Sequence, residues 1–190
     1  MKKIIFIGLL MTGTISANAQ RILDDFNLTN AVDGKQTSLS SFPTCSGLVI
    51  IFTSNSCPYD EYYKARIGKI IQTHQNNVPV ILVNSLVDGN ETLEQMTKKV
   101  QQTGIRVPYL ADKDQVLMQK LGASKTPHAF LLKNSNGKFE VVYSGSIDDN
   151  AQVEGDVHHS YLMEAIKAML ANQQPESAEV RPVGCTIRKK

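Results

Sequence analysis

Several common devices for chemistry are missing from this 190-residue chain. It has no Cys-x-x-Cys pair, no Cys/His cluster at zinc spacing, no Gly-rich phosphate loop and no Gly-x-Ser-x-Gly elbow. Metal and nucleotide chemistry therefore lack a motif, and neither a metal nor a cofactor is expected. Charge of one sign is also lacking. The 20 basic residues face 18 acidic ones, which gives no electrostatic reason to invoke nucleic acid or an anionic membrane as a partner. No internal repeat or low-complexity tract occurs, and the apolar run Ile4 to Met11 is too short to span a bilayer. Cysteine is scarce, with Cys45, Cys57 and Cys185 the only three.

That short apolar run has another reading. Lys2 and Lys3 precede it and Ala17-Asn18-Ala19 follows it, the order of a secretory leader cleaved before Gln20. Removing residues 1–19 from the 190 leaves 171 residues, enough for one domain with a sizeable core, and 18 residues of each charge. A periplasmic or secreted protein without membrane insertion after cleavage is expected, in a compartment where disulfides persist. An odd cysteine count there leaves at least one thiol free or paired between chains.

The stretch Gly47 to Arg66 organises the rest. Leu48 to Phe52 is a continuous apolar run of the kind found in strands buried on both faces. A small polar turn then delivers Cys57 and Pro58 to the start of a helix. A thiol at a helix N-terminus meets unsatisfied N–H groups and the positive end of the macrodipole, which favour thiolate and lower its pKa from about 8.5 toward roughly 3.5–7.5. Pro58 suits the first helical position. Buried cysteines are also common as inert packing groups, so the segment by itself leaves both readings open.

The chain in order supports an α/β sandwich with one mixed sheet. Asp33-Gly34 marks a turn in an N-terminal hairpin. A helix is predicted over 58–75, a strand over 78–84, a helix over 91–103 with Leu93, Met96 and Val100 inward, and an extended piece over 107–110. Asp112 is placed to cap a helix over 113–121. Strands over 129–132 and 139–143 flank an Asn136-Gly137 turn, and a last helix over 160–171 presents Leu162, Ala165, Ile166, Met169 and Leu170 on one side. Beyond Asn172 the composition shifts to that of an extended tail.

This order, with a cysteine just after the central strand, resembles the thioredoxin-like fold in its peroxiredoxin-related, or redoxin, branch. The closest similarity is to a thioredoxin-family group carrying F-x-C-N-H-C-P-Y, P-Y-L-x-D, T-P, Y-x-G-x-I-D-D and a C-terminal G-C-[ST]-I. This chain has Phe52-Thr53-Ser54-Asn55-Ser56-Cys57-Pro58-Tyr59, Pro108-Tyr109-Leu110-Ala111-Asp112, Thr126-Pro127, Tyr143-Ser144-Gly145-Ser146-Ile147-Asp148-Asp149 and Gly184-Cys185-Thr186-Ile187. The resemblance implies a central mixed sheet flanked by helices; with the N-terminal β-hairpin, the leader pattern and the composition shift read above, the chain divides as leader 1–19, domain 20–172 and extended C-terminal tail 173–190. One departure stands out: Ser54 occupies the place of the first cysteine. Thioredoxin-type exchange within the motif is then closed. Ser54-x-x-Cys57 instead imitates the Thr-x-x-Cys of peroxiredoxins, whose cysteine attacks peroxide, although Ile50 stands where those proteins carry proline.

A sulfenic acid on Cys57 needs a second thiol. Cys45 lies before the strand that Cys57 follows, so about 23 Å of strand separates the two, against the roughly 7 Å that a disulfide allows. Cys185 sits on a tail able to reach ~43 Å. It either resolves Cys57, anchors the tail by packing, or pairs with Cys45. By the resemblance, Thr126-Pro127 is a cis peptide facing Cys57, and Ser54, Asn55, Ser56, Pro58, Tyr59, Thr126 and Pro127 contact substrate. The implied activity is an exported thiol-dependent oxidoreductase, antioxidant in the peroxiredoxin manner, with Cys57 as nucleophile and a peroxide or a protein disulfide or thiol as partner. Two alternatives keep the fold: a monothiol exchange protein, and a non-catalytic module that binds an extended peptide at Thr126-Pro127.

Overall fold

The computed structural model of the protein describes residues 21–190; the leader reading and its cleavage point fall on residues 1–20, outside them. Three short strands come first, β1 (Ile22–Leu23), β2 (Leu28–Asn30) and β3 (Gln36–Thr37), and β2 and β3 pair antiparallel around a turn at Gly34, whose φ of 72° suits glycine. Then follow β4 (Gly47–Phe52), α1 (Pro58–His74), β5 (Val80–Asn84), α2 (Leu93–Thr103), β6 (Tyr109–Ala111), α3 (Val116–Leu121), β7 (Lys125–Thr126), β8 (His128–Ser135), β9 (Lys138–Gly145), α4 (Tyr161–Leu170) and β10 (Cys185–Thr186).

Eight strands form one mixed sheet in the order β1-β9-β8-β4-β5-β6-β2-β3. Strands β4, β5 and β6 run parallel, as strands joined through helices do, while the β8–β9 hairpin adds antiparallel to β4. Asn136 and Gly137 both take positive φ, 55° and 86°, the signature of the hairpin turn that their sequence announces. Every residue of β4 is buried, and its side chains alternate between two cores. Val49 and Ile51 join the core beneath α1, α2 and α4; Leu48, Ile50 and Phe52 join the one that holds α3. At about 1.5–3 kcal/mol per large apolar side chain, this strand is the main anchor of the sheet.

Helix ends depart from the sequence reading in two places. Leu93 and Leu170 are exposed rather than inward, 40% and 39%, because each is a terminal residue of its helix and turns past the core edge. Asp112 does cap α3, accepting N–H groups of Leu117 at 3.1 Å and Met118 at 2.9 Å, but the helix begins at Val116, after Gln115 takes the left-handed conformation at φ 58°.

Candidate active site

Strand β4 ends beside the sheet's C-terminal edge, and the chain turns through Thr53-Ser54-Asn55-Ser56 into α1. Cys57 occupies the extended position before the helix and Pro58 the first helical one, so the residue stands at the positive end of the α1 dipole, while its side chain makes no capping hydrogen bond. Opposite it, β8 is preceded by a cis Thr126-Pro127 peptide, and the Thr126 carbonyl oxygen lies 3.2 Å from Cys57 Sγ. Cys57 and Cys185 form a disulfide, with Cα atoms 6.1 Å apart. Cys185 arrives on β10, which pairs antiparallel with β7 so that Cys185 faces Thr126 and Thr186 faces Lys125. Gly184 is required there: a Cβ at that position would run into the Thr126 carbonyl.

Ser54 is fully buried and is the hub of the turn. Its Oγ accepts the N–H groups of Ser56 and Cys57, both at 3.0 Å, and donates its own proton to Glu91 Oε1 at 2.7 Å. In this disulfide-bonded form the hydroxyl therefore organises the backbone under Cys57 rather than pointing its proton at the sulfur. Asn55 is half-buried; its N–H reaches Glu91 at 2.8 Å, its Nδ2 the Asn90 carbonyl, and its Oδ1 accepts from the Tyr109 hydroxyl. Ser56 is exposed and donates to Glu91 at 2.6 Å through its hydroxyl. Pro58 is exposed, and Tyr59 is half-buried, edge-on to Tyr62 at 6.0 Å.

Two buried acids and one lysine fix this turn. Burial alone would raise the Glu91 carboxyl, but hydrogen bonds from Ser56, Asn55, Ser54 and Asn84 outweigh it and hold the group below the usual range, as a carboxylate. Asp60 accepts from Thr53 Oγ1 at 2.6 Å and from Ser54 N–H at 3.1 Å, yet burial pushes it up to about 7. At neutral pH it is thus only about half ionised and opposes a thiolate less than a first-turn acid ordinarily does. Lys99, on α2, donates to the carbonyls of Ser54 at 2.8 Å and Asn55 at 3.2 Å. Arg66 points elsewhere: it is buried in an ion pair with Asp148 at 2.6 Å and ties down the loop at 150–151. Lys125 reaches not the sulfur but the Thr186 hydroxyl, at 2.8 Å.

Cys45 is the free cysteine among the described residues, half-buried at the far end of β4, with its thiol directed at the Phe42 carbonyl 3.3 Å away. Glu91 and Lys99 escape a sequence reading because their partners lie 35 to 45 residues away and they resemble ordinary helix-surface charges. Gln115, whose carboxamide touches the C-terminal residues, escapes it for the same reason.

Comparison with known proteins places this geometry. A model of the AhpC/TSA family matches residues 19–143, more than half of the chain. No curated protein matches the sequence. Among solved structures, a hypothetical protein from Sinorhizobium meliloti 1021 is 28% identical with a TM-score of 0.79, over 94% of this chain and 97% of that one. An uncharacterized conserved protein from Geobacillus kaustophilus is 23% identical at a TM-score of 0.78, covering 90% and 91%. The exposed lipoprotein thioredoxin of Streptococcus pneumoniae strain TIGR4 is 21% identical at 0.52, covering 67% and 93%. The last two share the fold. A family match of this extent fixes the affiliation: the chain belongs to the AhpC/TSA family, within the thioredoxin-like redoxins.

Proposed function

We propose that the protein is an exported oxidoreductase that reduces peroxides, with Cys57 as the attacking sulfur and Cys185 as the resolving one. Family membership supplies the thiol-dependent redox class. The observation that carries the residue assignment is the disulfide between Cys57 and Cys185, made across 128 positions of sequence to a strand seated beside Thr126-Pro127. Export rests on the leader-like residues 1–19, with tail 173–190 as the appendage that brings the second sulfur to domain 20–172. The described residues contain no helix long and apolar enough to cross a membrane.

The cycle balances without any further cofactor. Cys57 thiolate attacks one oxygen of ROOH; the S–O bond forms, the O–O bond breaks, and a proton converts the leaving alkoxide to ROH. The Cys185 thiol then attacks the sulfenic sulfur, and its proton leaves with the hydroxyl as water. A dithiol of a partner protein returns two electrons. Its thiolate finds Cys185 half-exposed and Cys57 only 7% exposed, so it attacks Cys185 and expels Cys57. Cys57 is the better leaving group there, since the helix N-terminus stabilises its thiolate.

The peptide-binding alternative is disfavoured because the chain's own β10 occupies the edge of β7. The decisive experiment treats the reduced mature protein with one equivalent of hydrogen peroxide, follows its consumption, and maps disulfides by mass spectrometry. Consumption coupled to a Cys57–Cys185 link is expected. A Cys57→Ser variant that consumes peroxide at the wild-type rate refutes the assignment.

A further inference from the structure

Cys185 rides on the last residues of the chain, yet contacts independent of the disulfide hold those residues on both sides of it. Upstream, Val180 N–H bonds to the Ser144 carbonyl at 2.9 Å and the Arg181 carbonyl accepts from Ser146 Oγ at 2.9 Å. Downstream, Ile187 is 5% exposed within the core that contains Leu117, Met118 and Leu121, and its N–H bonds to the Ser124 carbonyl at 3.0 Å. Beyond it stands Gln115. This side chain is fully buried at the start of α3, in a left-handed backbone conformation that residues with a Cβ seldom take. Its Nε2 donates to the carbonyls of Ser85 at 3.0 Å and Arg188 at 2.8 Å, and its Oε1 accepts the Lys190 N–H at 2.8 Å. Two of its three partners are therefore tail backbone. Lifting the tail breaks two of the three hydrogen bonds of this carboxamide.

We propose that Gln115 is a positioning residue for disulfide formation: its carboxamide keeps the tail docked on β7 in the reduced protein as in the oxidised one. Cys185 then waits beside Cys57 for the sulfenic acid, and the β7 edge is closed to extended partners in both redox states. The proposal rests on the reading of Cys57 and Cys185 as the redox pair. Its chemistry is the second step above, Cys185 thiol attacking the sulfenic sulfur with loss of water, made unimolecular by a sulfur that is already in place.

Two measurements test it. In a Cys57→Ser variant, which has no disulfide, hydrogen–deuterium exchange at the Ile187 and Lys190 amides reports docking directly. Protection of at least about tenfold over a free peptide is expected; free-peptide exchange at both amides overturns the proposal. In the otherwise wild-type protein, the dithiol–disulfide equilibrium against glutathione gives the effective concentration of Cys185. Gln115→Ala, and the isosteric Gln115→Glu, which retains an acceptor for Lys190 but has no donor for Arg188, are each expected to weaken docking about tenfold, the equivalent of one to two hydrogen bonds, and so to lower the effective concentration about twofold when docking in the reduced protein is itself favoured about tenfold. A purely structural role would depress thermal stability without moving this equilibrium, and an unchanged equilibrium in both variants refutes the positioning role. A wild-type protein that consumes no peroxide would sink the peroxidase reading, yet the exchange measurement would still decide whether the tail stays docked.

Discussion

Two segments meet at the disulfide, and they are held by opposite means. The turn from Thr53 to Cys57 is fixed by charge: the Glu91 carboxylate gathers Ser54, Asn55 and Ser56, while Lys99 takes two carbonyls of the same turn. The tail that carries Cys185 is fixed in the main by neutral contacts, among them a two-residue β-bridge, one buried isoleucine and one carboxamide, with its charged contacts, Lys125 to Thr186 and Lys190 to Asp114, lying at the exposed surface. A buried carboxylate stripped of its partners is costly, so the turn is an all-or-none structure; neutral hydrogen bonds contribute about 0.5–1.5 kcal/mol each and yield one at a time. Cys57 is thus the fixed sulfur and Cys185 the adjustable one.

The largest effect should come from the charged side. Glu91→Ala leaves the donors of three turn residues and Asn84 facing a cavity, and a loss of about 4 kcal/mol in urea unfolding is expected, in line with leaving several neutral donors without their acceptor. The iodoacetamide reactivity of Cys57 in the reduced variant should shift with it, because Ser54 Oγ no longer has an acceptor to orient it. A loss below about 1 kcal/mol would mean that the turn holds itself and that the contrast is unfounded.

Breaking the neutral side should be milder and more selective. Ile187→Ala removes one buried side chain and should weaken docking of the tail by about 2–3 kcal/mol. Gly184→Ala drives a Cβ into the Thr126 carbonyl and should push β10 off β7. Stopped-flow measurement of disulfide formation after a peroxide pulse should show both variants slowed about tenfold, with the sulfenic acid accumulating. Unslowed resolution would show that the tail reaches Cys57 without β10 being paired.

The same contrast explains what a sequence reader can see. Strand β4, helix α1 and the β8–β9 hairpin are legible because apolar periodicity and turn residues are local signals, and so is Cys57 at the head of its helix. The tail's destination is legible only as reach. Ser54 is legible only as the residue in the place of a cysteine; its proton acceptor, Glu91, is 37 residues away and looks like a helix-start acid. Gln115 falls inside an expected helix, and nothing local tells that it turns left-handed to hold residues more than 70 positions on. Side chains whose partners are distant leave no periodic trace.

Two buried titratable groups beside the site sharpen the contrast through pH. Burial, helped by the Arg21 charge, pushes His128 from 6.5 down to about 4, and burial pushes Asp60 from 3.8 up to about 7. His128 has a depressed folded value, so below pH 6.5 the unfolded chain binds the extra proton and stability falls as pH falls toward 4. Asp60 has a raised folded value, so its contribution is present below pH 3.8 and is lost as pH rises through 7. Between pH 4 and 6.5 the two slopes oppose each other, and the wild type should be nearly flat. Asp60→Asn should expose a rise of about 2 kcal/mol from pH 4 to 6, and His128→Gln a comparable fall, read from urea midpoints. Parallel curves for the three proteins would refute both assignments.

The smallest effect is expected at Cys45, which belongs to neither segment. It lies at the opposite end of β4 from Cys57, its thiol faces the Phe42 carbonyl, and Asn134 Nδ2 bonds to its backbone carbonyl at 2.9 Å. Burial raises its pKa above 9.0 despite the nearby Asn134 amide, so little thiolate exists at neutral pH and the group is a poor competitor for an oxidant. Cys45→Ser keeps a donor for the Phe42 carbonyl and should change stability by less than about 1 kcal/mol. Peroxide consumption and the yield of the Cys57–Cys185 link should stay within about twofold of wild type, since the variant leaves both halves of the pair and both of their supports intact. A large fall in either would instead place Cys45 in the redox cycle, as a third sulfur that exchanges with the tail when β10 leaves β7.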